Sequence, residues 1–124
     1  MLTKEEAKLK NFVVSQLRGS FRKYYVKYEV LNEAKTEKKV NASTGRIAQH
    51  YRCNGCKKEF VQSQVQIDHV CQVIKATGFT TWDDYINSLF CSKENLQVLC
   101  LTCHKAKTKE ENAERRATKK LSKL

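Results

Sequence analysis

The sequence contains no proline, only four glycines and a single tryptophan in 124 residues. Because the chain has no proline, its turns must be formed with glycine and asparagine. No repeat or low-complexity tract is present. No apolar run approaches the roughly 20 residues that a membrane-spanning helix needs, and no signal-peptide pattern opens the chain. We therefore expect a cytoplasmic, intracellular protein with no membrane partner. In that reducing compartment, six cysteines are expected to bind metal rather than form disulfides.

Acidic residues are also scarce. The chain has 13 of them and 24 basic residues, which gives a net charge of +11. Residues 1–50 carry a net +6, residues 51–100 carry none and residues 101–124 carry +5. A basic run is often only a solvated helix face, but so large an excess in a short chain favours a polyanionic partner. The candidate nucleic-acid contacts in the last segment are Lys105, Lys107, Lys109, Arg115, Lys119 and Lys120.

The first 35 residues have the patterns of two helices. Thr3 and Glu6 have capping-box spacing, which predicts a helix from Thr3 to about Arg18, with Gly19 ending it. Its apolar face is Leu9, Phe12, Val13, Gln16 and Leu17. Residues 20–35 also fit a period of two, but their good helix formers favour a second helix. Its aromatic stripe is suited either to stacking bases or to core packing. The members of this stripe are Phe21, Tyr24, Tyr25, Tyr28 and Leu31.

The remainder alternates short strands and helices. Residues 38–46 are polar and are interpreted as a connector, and residues 60–68 predict one or two short strands. A short helix capped by Thr80 or Thr81 is expected to run through Phe90, and residues 96–99 suit a strand. The last helix should begin near Thr102, with i,i+4 pairs of Glu111 to Lys107 and Arg115. The predicted fold class is α+β and mostly helical.

The cysteines form two C-x2-C pairs separated by 43 residues. Each pair presents two sulfurs to one point, and two pairs complete the tetrahedral S4 shell that zinc prefers. Such a shell is closed, so the zinc is expected to be structural. The alternatives are unligated core cysteines or a redox motif, although the βαβ context of a redox motif is lacking. The four expected ligands are Cys53, Cys56, Cys100 and Cys103, whereas Cys71 and Cys91 are interpreted as small buried hydrophobic residues.

Two histidines lie beside other chemistry-bearing residues. His69 follows Asp68 at the end of a predicted strand, and His104 follows a predicted zinc ligand. Asp68 with His104 gives an oxygen and a nitrogen ligand for a divalent ion with open positions, which leaves His69 free as a base. Neighbours in a regular strand point to opposite faces, so Asp68 and His69 can share a site only where the strand ends or bends.

These residues occur in the order of a known family. The arrangement Cys53-x2-Cys56, Ile67-Asp68-His69, Glu94-Asn95-Leu96 and Cys100-x2-Cys103-His104-x2-Lys107-Thr108 resembles the zinc-containing HNH endonucleases, in particular the small free-standing forms of phages and bacteria. The resemblance covers about residues 50–110. One departure is the absence of the proline that often follows the base histidine, where this chain has Cys71, Gln72 and Val73.

The resemblance implies roles for single residues. His69 would be the general base, Asp68 and His104 would bind a catalytic Mg2+, Mn2+ or other divalent ion, and Asn95 would fix the geometry of the loop and of His69. The four cysteines named above would bind structural Zn2+.

The resemblance also implies a ββα-metal, treble-clef-like core in residues 41–124, with residues 1–40 as an N-terminal helical extension. The expected activity is hydrolysis of double-stranded DNA to 3′-hydroxyl and 5′-phosphate products, and the resemblance is compatible with a protein partner such as phage packaging machinery. The alternative is a zinc-dependent nucleic-acid-binding module that does not cut. That alternative leaves Asp68, His69, Asn95 and His104 unexplained.

Overall fold

The fold is α+β with helix predominating, as predicted. A computed structural model describes residues 2–75 and 78–122. The helices are α1 (Lys4–Phe21), α2 (Tyr25–Glu33), α3 (Trp82–Leu89) and α4 (Leu101–Ser122). The strands are β1 (Lys35–Val40), β2 (Ile47–Arg52), β3 (Glu59–Val61), β4 (Val65–His69) and β5 (Leu96–Cys100).

The strands form two antiparallel sheets. The first has the order β1-β2-β3, and the second pairs β4 with β5. The register of the second sheet places Asp68 opposite Gln97 and His69 opposite Leu96. Because β5 runs without a loop into α4, the end of this sheet and the first turn of the last helix lie next to each other.

Helix α2 fills the space between the two sheets. Val26 and Val30, four residues apart on one helix face, are buried against residues from both sheets. Those residues are Tyr51, Val65, Leu96 and Val98. Phe21, Tyr24 and Leu31 are partly buried against the same cluster, which agrees with core packing. Tyr25 and Tyr28 are exposed, so core packing is wrong for these two.

Helix α1 begins as predicted, because the Thr3 side chain accepts from the N–H of Glu6 and the Glu6 carboxylate accepts from the N–H of Thr3. It does not end at Gly19 but continues to Phe21. Its predicted apolar face stays largely uncovered, with Leu9 and Phe12 at 64% and 60% exposure. Helix formation here therefore rests on local capping more than on burial.

The predicted connector at residues 38–46 is wrong in part. Residues 38–40 belong to β1, which pairs with β2, and β2 itself was not predicted. Only the turn from Asn41 to Arg46 connects these strands, and Gly45 there has a φ of 73°. The β1–β2 pairing crosses residue 40, where the two predicted domains meet. That division into 1–40 and 41–124 stays a prediction.

The remaining elements follow the sequence patterns. Strands β3, β4 and β5 and helices α3 and α4 lie where they were predicted, and Thr81 caps α3 by accepting from the N–H of Asp84. Lys107 pairs with Glu111 as expected, but Arg115 donates to Gln72 and to the Ile74 carbonyl instead of pairing with Glu111. Within residues 2–75 and 78–122, no helix has the length and apolarity to cross a membrane.

Candidate functional site

Four cysteines from three parts of the chain meet beside the second sheet. Cys53 and Cys56 lie in the turn between β2 and β3, Cys100 ends β5, and Cys103 lies in the first turn of α4. Their sulfur atoms all lie within 4.8 Å of one another. The cluster can therefore hold a metal ion such as zinc.

The spacing of the sulfurs can be compared with that of a tetrahedral S4 site. Zn–S bonds of about 2.3 Å place the sulfurs about 3.8 Å apart, and the Sγ atoms of Cys56 and Cys100 are 4.0 Å apart. The turn is tight, because a Cβ at Gly55 would lie 3.0 Å from the Cys103 sulfur. Lys57 completes the turn in a left-handed conformation with φ 64°. The donor set and its spacing fit a tetrahedral ion.

Backbone N–H groups surround the Cys53 sulfur. Burial disfavours the thiolate, but N–H groups of Cys100, Cys56 and Gly55 donate to this sulfur and lower the pKa of Cys53 to about 6. The pKa of Cys103 is raised, mainly because its thiol hydrogen-bonds to the sulfurs of Cys100 and Cys53. Four thiolates this close together would repel one another, and a bound cation would offset that repulsion.

A second group of ligating side chains lies at the other end of the β4–β5 pair. Asp68 and His69 end β4, and His104 follows Cys103 in the first turn of α4. The His104 Nε2 lies 3.7 Å from the Asp68 Oδ1. All three side chains line one open cavity of about 330 Å³. The strand ends at His69, which satisfies the condition under which neighbouring residues can share a site.

The gap between Asp68 and His104 suits a divalent ion. Two ligand atoms that each lie about 2.1 Å from one ion are at most about 4.2 Å apart. The 3.7 Å between Oδ1 and Nε2 lies within that limit. The pair offers two ligands, so an ion bound there keeps positions open for other groups.

The imidazole of His69 is fixed by two contacts. Its Nε2 lies 2.8 Å from the Leu89 carbonyl, and its ring packs on Phe21 with centroids 4.8 Å apart. A carbonyl oxygen can only accept, so Nε2 carries the hydrogen of the neutral ring. The lone pair is then on Nδ1, the nitrogen that can accept a proton.

Asn95 contacts the loop after β4 rather than the histidine ring. Its carbonyl accepts from the N–H of Val70 at 2.8 Å, and its Oδ1 accepts from the N–H of Cys71 at 3.2 Å. Asn95 therefore fixes the backbone that follows His69. Cys71 is exposed, so its interpretation as a buried residue is wrong, whereas Cys91 is half-buried.

Lys107 points into this site. Its Nζ donates to the Asp68 Oδ2 at 3.0 Å, to the His69 carbonyl at 2.9 Å and to Glu111 at 3.2 Å. Burial disfavours its charge, but Asp68 and Glu111 outweigh burial and raise the pKa of Lys107. Lys107 is thus a cation of the site itself, which sets it apart from the other predicted nucleic-acid contacts.

The other basic residues of the last segment lie along α4. Lys105 and Lys109 are exposed and line a shallow groove that also contains His104 and Arg116. Arg115 is bound to the loop after β4 by the contacts described above. Lys119 and Lys120 are exposed in the last turns of the helix. A basic surface therefore continues from the histidine site along the helix.

Three residues of the site were missed from the sequence. Arg18 and Phe21 reach the cavity from the end of α1, and Gln97 donates to the Asp68 Oδ2 at 3.2 Å. The register of β4 against β5 places Gln97 opposite Asp68, and the alternation of the sequence does not reveal that register. No sequence signal links α1 to the site, because the contact depends on how α1 docks.

A larger open groove of about 760 Å³ lies between α2, β1 and β5. Two of its carboxylates are paired with lysines, Glu33 with Lys93 and Glu59 with Lys39. Among the residues that the structure describes, the lining of this groove contains no histidine or cysteine, whereas the cavity of Asp68 is lined by His69 and His104. The histidine cavity is therefore the better candidate for chemistry.

Comparison of the chain with protein-family models, with curated proteins and with solved structures finds no match in any of the three.

Proposed function

We propose that this protein is a divalent-metal-dependent endonuclease that hydrolyses DNA phosphodiester bonds, with His69 as the general base. The observation that carries the proposal is that Asp68, His69 and His104 line one open cavity. The sequence order of these residues resembles that of HNH endonucleases. The succession of β4, β5 and α4 around them supports a ββα-metal core.

The tautomer of His69 suits a base. The Leu89 carbonyl accepts a hydrogen bond from the Nε2–H of His69, so the unprotonated Nδ1 can accept a proton from a water molecule. The Phe21 ring restricts rotation of the imidazole, which keeps Nδ1 in one direction. Asn95 fixes the following backbone and so supports the same orientation.

Asp68 and His104 are the proposed ligands of the catalytic ion. A divalent ion bound there supplies positive charge to a phosphodiester oxygen and to the leaving oxygen. The cations of the chain add to this charge, because Lys107 lies inside the site and Arg18 lines its wall. An arginine suits phosphate, since its planar group can donate two parallel hydrogen bonds.

The binding of DNA is assigned to the basic surface of α4. Lys105 and Lys109 are exposed beside His104, where a phosphate backbone entering the cavity would pass. Attraction to phosphate gives affinity without sequence choice. We therefore propose double-stranded DNA as the partner and low sequence preference in binding.

The cysteine cluster is proposed to hold structural zinc. Four protein ligands leave no position for substrate, so the ion has no direct part in hydrolysis. Its role is to join the β2–β3 turn to the start of α4, where His104 lies. A small domain benefits from such a link, because its core alone buries little apolar surface.

The test is incubation of supercoiled plasmid with purified protein and Mg2+ or Mn2+, repeated with EDTA. We expect nicked or linear DNA only with the free divalent ion. His69→Ala should lower the cleavage rate by about 10²- to 10⁴-fold, because general-base catalysis accounts for about that factor. Zinc content and DNA affinity should stay close to wild type.

Gln66→Ala serves as the matched control, since Gln66 is exposed on the same strand and should leave cleavage unchanged. Cleavage by His69→Ala at the wild-type rate would show that His69 is not the base. Binding of DNA by the wild type without any cleavage, under all metals tried, would favour the binding module instead.

A further inference from the structure

A chain of hydrogen-bonded side chains runs from the cysteine cluster to the histidine site. The Lys57 Nζ donates to the Asn54 Oδ1 at 2.9 Å, and the Asn54 Nδ2 donates to the Gln97 Oε1 at 2.7 Å. The Gln97 Nε2 in turn donates to the Asp68 Oδ2 at 3.2 Å. Asn54 lies between the two cysteines of the first pair, so the chain begins inside the turn of the cluster.

The chemistry of the two ends fixes the direction of every bond in this chain. An ammonium group can only donate, so the oxygen of Asn54 must face Lys57 and its nitrogen must face Gln97. A carboxylate can only accept, so the nitrogen of Gln97 must face Asp68. Both amides are therefore held in one orientation, and neither can flip without losing two hydrogen bonds.

The two oxygens of Asp68 have different surroundings. Oδ2 accepts from Gln97 at 3.2 Å and from Lys107 at 3.0 Å, whereas Oδ1 faces the Nε2 of His104 at 3.7 Å. The two donors occupy one oxygen and leave the other directed at His104. A carboxylate so fixed does not need to be ordered when an ion binds, and this lowers the entropic cost of binding.

We propose that Gln97 is a positioning residue for the divalent-ion site, and that Asn54 of the cysteine-cluster turn orients it. This relay of Asn54, Gln97 and Asp68 rests on the proposed function, because it assumes that Asp68 and His104 bind the ion. It goes beyond that function by making the cysteine-cluster turn a determinant of metal affinity at the other site. Asn54 and Gln97 touch neither the ion nor the substrate and act only through Asp68.

The test measures Mn2+ binding to the zinc-loaded protein by calorimetric titration, without DNA and without reference to cleavage. Wild type is expected to bind one Mn2+ per chain, and Asp68→Ala, which removes a ligand, should weaken that binding more than any other single variant in this set. Gln97→Leu should weaken it by about 10- to 100-fold, the usual effect of removing a residue that orients a metal ligand. Gln66→Leu is the matched control on the neighbouring strand and should bind Mn2+ as wild type does.

Asn54→Ala should weaken Mn2+ binding less than Gln97→Leu, because Gln97 keeps its bond to Asp68 but loses its fixed orientation. In a double-mutant cycle, Asn54→Ala should cause no further loss of Mn2+ affinity once Gln97 has been replaced by leucine. A merely structural role for Asn54 would instead give additive losses. Zinc content and melting temperature of each variant identify any loss that comes from damage to the cysteine cluster.

The outcomes separate this proposal from the one on which it rests. If wild type binds no Mn2+, or Asp68→Ala binds it equally well, the metal site and the relay are both wrong. If wild type binds Mn2+ through Asp68 but zinc-loaded, folded Gln97→Leu binds as tightly, only the relay is wrong. Additive effects in the double-mutant cycle would remove Asn54 from the relay and leave Gln97 in it.

Discussion

Two clusters of ligating side chains lie along the same segment of β5 and α4, and they differ in the number of protein ligands that each offers. The cysteine cluster is closed in the sense that its four sulfurs can fill a tetrahedral shell, with Cys53 and Cys100 buried and Cys56 exposed. In the histidine site, the Asp68 and His104 side chains are 13% and 32% exposed and line an open cavity. A closed shell of four protein ligands suits a structural ion, whereas an open pair suits an ion that meets substrate.

The two clusters are separated by a single position in the chain. Cys103 and His104 are neighbours in the first turn of α4, and successive side chains of a helix point about 100° apart. One turn of helix therefore serves both clusters. An ion in the cysteine cluster would fix the position from which His104 reaches Asp68.

The largest effect is expected from opening the closed cluster. Cys56→Ser or Cys103→Ser should lose zinc together with the cooperative folded state, because zinc-binding energy is also folding energy in a small domain. Metal analysis and thermal melting measure both effects. Cys71→Ser is the matched control, since Cys71 is exposed and outside the cluster. Wild-type melting of either cluster variant would refute the structural role of the metal.

Replacing the proposed ligands of the open site should affect the proposed reaction and not the fold. Asp68→Ala and His104→Ala should each lower the cleavage rate by about 100-fold or more, because an ion contributes several kcal/mol to charge stabilisation. Raised Mn2+ should restore part of this activity, whereas it should not restore His69→Ala. Cleavage assays across a Mn2+ series measure the difference. Equal rescue of all three variants would contradict the separate roles of ligand and base.

A smaller loss is expected from crowding the closed cluster. Gly55→Ala should lower the free energy of unfolding by about 1–3 kcal/mol, because the added Cβ would lie 3.0 Å from the Cys103 sulfur. Gly19→Ala is the contrasting variant, since its Cβ would meet only the Arg22 side chain at 3.9 Å and should stabilise α1. Denaturant titrations compare the two. A neutral Gly55→Ala would show that the turn can relax.

The smallest effects are expected on the exposed surface beside the open site. Lys105→Ala and Lys109→Ala should each weaken DNA binding several-fold, nearly equally for different sequences. The slope of log affinity against log salt should fall by about 0.9 for each phosphate contact that is lost. Lys38→Ala removes one exposed charge on β1 and is the control. Equal losses in all three variants would indicate a general charge effect and no defined surface.

The comparison of the two clusters also separates what the sequence predicts from what it does not. The C-x2-C spacing is a local pattern, and it predicts the closed cluster because each pair needs only its own turn. The capping residues Thr3 and Thr81 likewise predict helix starts from neighbouring residues alone. The grouping of Asp68, His69 and His104 joins residues that lie far apart in the chain, and the family resemblance supported that grouping and added Asn95.

What the sequence did not reveal depends on long-range placement. Strand β1 contains lysines that no strand propensity favours, and it is a strand because it pairs with β2. Gln97 acquires its contact with Asp68 from the strand register. Phe21 meets His69 only because the end of α1 docks beside β4. None of these relations leaves a periodic signal in the residues themselves.

The contact of Phe21 with His69 has a consequence for the time at which the candidate site is complete. The site combines a side chain near the start of the chain with Lys107, which is synthesised 86 residues later. At typical rates of translation that interval is roughly 4 to 17 seconds. During this interval the growing chain already contains Phe21 but still lacks Lys107. Under the proposed nuclease function, a partly synthesised chain that lacks His104 and Lys107 would not yet cut DNA, and activity would begin only when both ends have met.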